Sequence, residues 1–325
     1  MKPNLKSYTA ASTLPVKLLQ NVELVSRVRG GFIPPVHVQL NPTNRCNLNC
    51  GFCSCSERDK QAQLSIDDLL AVMARFKDLG CKSVTITGGG EPLLHPDLAV
   101  LIGYLNRVLD IRVGLVTNGT QFHRLSNFQD ITWCRISSSD DREPEWAGIL
   151  NAVQAGPGVD WAFSHVLTRE PDWRRLCRLV AFANKHDFTH VRIVGDLLDI
   201  EEAAAQVKQA RNHLYVQGIN DRRVIYQDRA EYVRGRGRCG ISLLKPVIGA
   251  DGGIYPCCGV QYAQDPPGRD LVPSMRMGTL EDIEAIWQGE TQAAFDGSVC
   301  SRCYYDSYNS ALDLLAAPLC HAEFV

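Results

Sequence analysis

The sequence predicts an α/β fold built on a parallel sheet, and three observations carry that expectation. Short apolar runs alternate with helical segments in six βα units within about 180 residues. The runs are continuous, as in strands covered on both faces. The least ordinary residues fall in the loops after those runs, at the strand ends where parallel α/β folds place ligands. Right-handed crossovers leave an open doubly wound sheet or a barrel, and six units are too few for the eight-unit closed form.

The elements follow in order. "VHVQL" (36–40) is a strand that runs into a cysteine-rich loop. "SIDDLLAVMARFKDLG" is a helix, with Ser65 as N-cap and Asp68 three residues on. Ile66, Leu69, Leu70, Met73 and Phe76 share one face, and Gly80 closes the end. "SVTIT" (83–87) is a strand, 96–109 a helix and "RVGLVT" (112–117) a strand. "ITWCRIS" (131–137) is a strand, followed by a helix near 144–155 and the strand "DWAFSHVL". A helix near 172–186, the strand "HVRIVG" and the helix "IEEAAAQVKQARNHL" complete the run. The first four strands lead into the cysteine loop, "GGGEPLLHP", "NGT" and "SSDD".

The chain has 325 residues, enough for one large domain or two smaller ones. Its hydrophobic content of 45% and charged content of 22% are ordinary for a globular protein. A net charge of −2 gives no pull toward nucleic acid or anionic membrane. No run is long and apolar enough to span a bilayer, and the N-terminus lacks a secretory pattern, so a cytoplasmic location is expected.

Thirteen cysteines then need a reason, because a reducing compartment disfavours disulfides. Cys81, Cys134 and Cys177 sit singly in apolar surroundings and read as small buried hydrophobes. Four others crowd into residues 46–55, and six fall between 239 and 320. Cys46, Cys50 and Cys53 are spaced C-x3-C-x2-C. Structural zinc takes four ligands, usually as two separated pairs, and Cys55 is the only nearby candidate for a fourth. An iron–sulfur cluster fits a tight run of thiolates better, and three ligands would leave one iron open.

That run, with Phe52 before the last cysteine, resembles the signature of the radical S-adenosylmethionine (SAM) enzymes. The resemblance implies a partial (β/α)6 TIM-like barrel and a [4Fe–4S] cluster held by Cys46, Cys50 and Cys53. SAM would chelate the open iron, and reduction would cleave it to a 5′-deoxyadenosyl radical. The resemblance extends to "GGGEP", where Gly89, Gly90 and Glu91 match a turn that receives the SAM ammonium group. Phe52 matches an aromatic near the adenine. Asn118, Ser137 and Ser139 match positions of ribose and carboxylate contacts, although turn-capping explains Asn and Ser equally well. The resemblance gives Cys55 no role.

From Cys239 the pattern changes. Seventeen residues separate Cys239 from Cys257, forty-two lead from there to Cys300, and Cys303 follows as C-x2-C. "VIGADGGIYPC" reads as strand–turn–strand with Asp251–Gly252 in the turn. This region resembles the twitch half of a SPASM-type extension, in which a hairpin and a short helix hold an auxiliary [4Fe–4S] cluster. The resemblance implies Cys239, Cys257, Cys300 and Cys303 as ligands, and one auxiliary cluster, since the further cysteines of a full SPASM pattern are missing. Structural zinc on the same four thiolates remains an alternative. Cys258 is either a hydrogen-atom donor or simply the second cysteine of the hairpin, and Cys320 could replace Cys303. Arg234, Arg236 and Arg238 would offset cluster charge, grip an anionic substrate, or form a solvated loop.

The expected organisation is an N-terminal extension over 1–35, a barrel over 36–220 and an auxiliary-cluster domain over 221–325. The expected activity is radical oxidation or epimerisation of a small polar metabolite such as a sugar, aminocyclitol or nucleoside. Cys258 and Arg192 are the catalytic candidates, with Arg169 and Asp196 behind them. An external donor such as flavodoxin or ferredoxin would supply the electron. The alternatives are a peptide maturase, lowered by the short segment before the first strand, and a non-catalytic iron–sulfur or zinc protein.

Overall fold

In the computed structural model, residues 17–18, 20–227 and 232–317 are described, apart from the side chains of residues 200–201. Cys320 lies outside the described residues. Seven strands form one parallel run: β1 His37–Leu40, β2 Ser83–Ile86, β3 Arg112–Thr117, β4 Trp133–Ser139, β5 Asp160–Leu167, β6 His190–Gly195 and β7 Val224–Gln227. The intervening helices are α2 Ile66–Asp78, α3 Leu98–Gly103, α4 Trp146–Ala155, α5 Trp173–Lys185 and α6 Ile200–Val216, with α1 Val22–Arg29 preceding the sheet.

Local chemistry sets these boundaries. Ser65 Oγ accepts the Asp68 N–H at the start of α2, and Gly80 closes it at φ +106°. The expected helix over 96–109 becomes α3 followed by a π-helical turn, Tyr104–Val108.

Each strand has one face against the helices and one toward the concave side of the sheet. On the helix side, Val191 and Ile193 are fully buried and Phe163 stacks on Phe188 at 4.6 Å. The concave side carries polar layers instead. Register places Ser137, Ser164 and Arg192 side by side there, and Arg192 donates to Ser164 Oγ from Nε (3.1 Å) and Nη2 (2.8 Å).

The C-terminal region continues this sheet. The strands β9 Val247–Ile248, β10 Gly253–Tyr255 and β11 Gly278–Thr279 give the order β11-β10-β9-β1-β2-β3-β4-β5-β6-β7, with β9 parallel to β1. The hairpin turn is the expected one: Gly252 has φ +72°, and Gly253 N–H donates to Asp251 Oδ1 at 3.0 Å. A separate ribbon pairs β8 Arg238–Cys239 with β12 Phe295–Asp296, and the short helices α7 Gly240–Leu244 and α8 Ile283–Gln288 lie between them in sequence. Helix α9, Asp306–Ala316, ends the described chain. Phe76 of α2 meets Trp287 of α8 edge-on at 5.3 Å, and Trp287 is 1% exposed. That contact joins the first crossover helix to the C-terminal part through buried aromatic surface.

Candidate active site

The loops after β1 to β4 converge on one cleft holding about 860 Å³ of empty space, open mouth included. Cys46, Cys50, Cys53, Phe52, Gly89, Gly90, Glu91, Asn118, Ser137 and Ser139 all line it. These sequence candidates are thus gathered in space, from three separate loops and the end of β4.

The turn after β2 is built from backbone contacts that exclude side chains. A Cβ at Gly90 would lie 2.0 Å from the Arg45 carbonyl oxygen, and one at Gly89 would lie 1.6 Å from Asn44 Oδ1. Gly90 N–H donates to Thr43 O and Glu91 N–H to Arg45 O, which zips the turn onto the start of the cysteine loop. Glu91 is buried: Oε1 accepts from Thr117 Oγ1 (2.7 Å) and Leu93 N–H (3.0 Å), and Oε2 from Asn118 N–H (2.7 Å). A carboxylate has about four acceptor positions, so one on Oε2 is left for a ligand. Burial pushes the Glu91 carboxyl above its ordinary range, a cost that a cationic ligand would offset.

Asn118 does form a turn. Its Oδ1 accepts from Thr120 N–H and Oγ1, while Nδ2 donates to Asn47 Oδ1. Arg142 is the residue that sequence reading missed. It lines the cleft, its Nη2 donates to Asn118 O at 2.9 Å, and its buried Nη1 has no hydrogen-bond acceptor among the described residues. Its position in "SSDDR", just beyond the fourth strand, was the available signal.

The cysteines differ in environment. Burial raises the thiols of Cys46 and Cys50. Hydrogen bonding from Cys55 brings Cys53 down to about 6, helped by Lys60 and Arg58. Cys55 is therefore a buried partner of Cys53: its N–H donates to Cys53 Sγ at 3.4 Å.

A second cavity, about 460 Å³ of empty space, is lined by Cys239, Cys257, Cys300 and Cys303. Three of these sulfurs accept hydrogen bonds: Cys239 from Asn309 Nδ2 (3.6 Å), Cys257 from Gly259 N–H (3.4 Å) and Cys303 from Tyr305 N–H (3.4 Å). Burial raises all four thiols, and their mutual repulsion adds to it for Cys239, Cys257 and Cys300. Such thiols ionise when a metal centre compensates the charge. Among the described residues no three His, Cys, Asp or Glu side chains are gathered closely enough to hold a single ion. The four cysteines around this cavity, and the three on the loop after β1, are the all-thiolate donor sets that iron–sulfur centres take.

Cys258 is absent from the lining of both cavities, and its Sγ lies 2.8 Å from Tyr305 Oη. Arg192 is on the concave face of β6, in the Ser137 layer but outside the cleft lining. Arg236 lines the second cavity and forms a paired ion bridge to Asp306 (2.9 and 2.7 Å). Arg169 pairs with Asp199, and burial raises the Asp196 carboxyl.

Comparison with known proteins matches two separate stretches of the chain. Residues 40–138 match the radical SAM superfamily, and residues 239–304 match the SPASM iron–sulfur cluster-binding domain. A GTP 3′,8-cyclase of Staphylococcus aureus is 34% identical over 106 residues, which is 30% of this chain and only 31% of that relative. Streptococcus suis SuiB bound to S-adenosylmethionine shares the fold over 86% of this chain and 72% of its own, at TM-score 0.59 and 18% identity. The enzyme anSMEcpe, with bound AdoMet and a Cp18Cys peptide, does so over 90% and 86%, at TM-score 0.55 and 15% identity. No helix of the described residues is long and apolar enough to cross a membrane. The chain belongs to the radical SAM superfamily and carries a SPASM domain, and its cofactors are SAM, a [4Fe–4S] cluster and auxiliary iron–sulfur chemistry.

Proposed function

We propose that this chain is a radical SAM enzyme that modifies a peptide. The observation that carries the reading is the likeness of barrel and C-terminal region together to SuiB, also known bound to its precursor peptide SuiA, and to peptide-bound anSMEcpe. This replaces the small-metabolite expectation, which rested on other twitch-bearing enzymes.

In this reading Cys46, Cys50 and Cys53 hold the SAM-binding cluster, and Cys239, Cys257, Cys300 and Cys303 hold one auxiliary cluster. When bound, the first cluster and SAM supply a carbon-centred radical that removes a hydrogen atom from the substrate. The protein binds and orients. The free acceptor position on Glu91 Oε2 takes the SAM ammonium, and the open Nη1 of Arg142 takes its carboxylate. Phe52 covers the adenine, while Ser137, Ser139 and the remaining N–H of Asn118 face the ribose. Arg192, steadied by Ser164 on the neighbouring strand, orients a polar group of the substrate on the concave face. Cys258 is engaged with Tyr305 away from the cleft, which supports a structural role over hydrogen return. An external one-electron donor of the flavodoxin or ferredoxin type completes the system.

The test is deuterium transfer. The iron-loaded chain is incubated anaerobically with SAM, dithionite and either deuterated peptides or deuterated sugars, aminocyclitols and nucleosides. Label from peptide in the 5′-deoxyadenosine formed supports the reading, and label from a metabolite alone returns the function to small-molecule chemistry.

A further inference from the structure

Arg58 follows Cys55 by three residues and is one of the most deeply buried charges in the chain, with a side chain 3% exposed. Its Nη2 donates to Gln261 Oε1 at 2.8 Å, and Nε faces Asp270 Oδ1 at 3.4 Å. Nη1 has no hydrogen-bond acceptor among the described residues and lies 2.9 Å from where a side chain on Gly89 would begin. Gln261 and Asp270 both belong to the segment that leaves Cys257 and Cys258.

That segment is a strap across the first cysteine loop. Arg269 Nη1 donates to Gly51 O at 2.8 Å, and Glu57 N–H donates to Arg269 O at 3.2 Å. Its other end belongs to the auxiliary cavity. Val260 and Ala263 line that cavity, and Arg302, between Cys300 and Cys303, donates its N–H to Ala263 O at 3.1 Å and pairs with Asp265. One stretch of backbone therefore touches both cysteine sets.

Stability alone does not explain Arg58. A guanidinium taken out of water, without a hydrogen-bond acceptor at Nε or Nη1 and facing an Asp270 that is 46% exposed, gives little or no net stabilisation. Its charge does sit at the back of the cleft: Nη1 abuts Gly89, which lines that cleft together with Cys53. A fixed positive charge beside an iron–sulfur centre favours the more negative, reduced state.

We propose that Arg58 is a positioning residue that joins the two cysteine sites: it pins the 259–270 strap onto the first cysteine loop and sets a buried positive charge behind Cys53. The second half rests on the reading of Cys46, Cys50 and Cys53 as cluster ligands; the first half does not.

Two measurements on the full chain keep these halves apart. In the iron-free chain, amide hydrogen exchange is followed at residues 51–58 and 259–270. Arg58→Gln should speed exchange in both segments at least tenfold, and Gln261→Ala should do so more weakly without touching the buried charge. Unchanged exchange in both variants overturns the pinning role. In the iron-loaded chain, the cluster whose electron paramagnetic resonance spectrum changes on adding SAM is titrated against potential. Arg58→Gln should move its midpoint to more negative potential, and Arg58→Lys should restore the midpoint while leaving exchange fast. Equal midpoints in all three proteins overturn the charge role. Fast exchange in Arg58→Gln, with no SAM-sensitive cluster in the wild type, sinks the cluster reading and leaves the pinning standing.

Discussion

Arg142 donates from Nη2 to the Asn118 carbonyl at 2.9 Å, tying the loop after β4 to the loop after β3 at the cleft. The other terminal nitrogen is left for a ligand. A hydrogen bond to a charged group contributes about 1.5–3 kcal/mol. Arg142→Gln should therefore weaken SAM binding about 10- to 150-fold by calorimetry on the iron-loaded chain, with iron content unchanged. An unaltered affinity would remove Arg142 from the SAM site.

Gly90 is held against the Arg45 backbone, which cannot give way as a flexible side chain does. Gly90→Ala should abolish SAM binding and lower the melting temperature. Gly51→Ala, in the same region with nothing within 4 Å of the added carbon, should bind SAM like the wild type. Equal behaviour of the two variants would contradict the close approach.

Two four-iron centres imply about eight irons per chain. Cys50→Ala should lose about half of them, together with all dithionite-dependent SAM cleavage. Cys257→Ala should lose a similar fraction and still cleave SAM. Colorimetric iron and chromatographic 5′-deoxyadenosine report both quantities, and loss of cleavage in both variants would argue against two separate sites.

Asp140 lies behind the cleft with His165 Nε2 at 3.0 Å, and it accepts from Thr168 N–H (2.7 Å) and Asp172 N–H (3.1 Å). Burial pushes its carboxyl up, but these hydrogen bonds outweigh burial and hold it below the usual carboxylate range. A depressed folded pKa gives stability that is present above the unfolded value, about 3.9, and is lost as pH falls through the folded one. Asp140→Asn should cost about 1–3 kcal/mol in urea unfolding at pH 7. The gap to wild type should narrow below about pH 4; a constant gap would mean the charge is not what matters.

Cys258 Sγ and Tyr305 Oη are 2.8 Å apart, outside the cleft lining. Cys258→Ala should keep SAM cleavage and product formation within about threefold of wild type, since deleting a weak thiol hydrogen bond leaves the reacting groups in place. Turnover that stops while SAM is still consumed would restore Cys258 as a hydrogen donor.

Spacing along the chain was enough for much of this. The triplet Cys46, Cys50 and Cys53, the Gly88–Glu91 turn, the Ser65 cap and the Asp251–Gly252 hairpin depend on residues a few positions apart, and local geometry follows from local sequence. Period and apolar content likewise placed the strands, because a doubly covered strand must be apolar wherever it sits. Other features were settled only in three dimensions. The joining of β9 to β1, the parallel addition of β7, the reach of Arg142 into the cleft and the burial of Arg58 under Gln261 and Asp270 link segments up to about 200 residues apart. A guanidinium at the end of a long flexible stem can pair with any carbonyl or carboxylate the fold brings near, so its partner is chosen by packing and not by its neighbours in sequence.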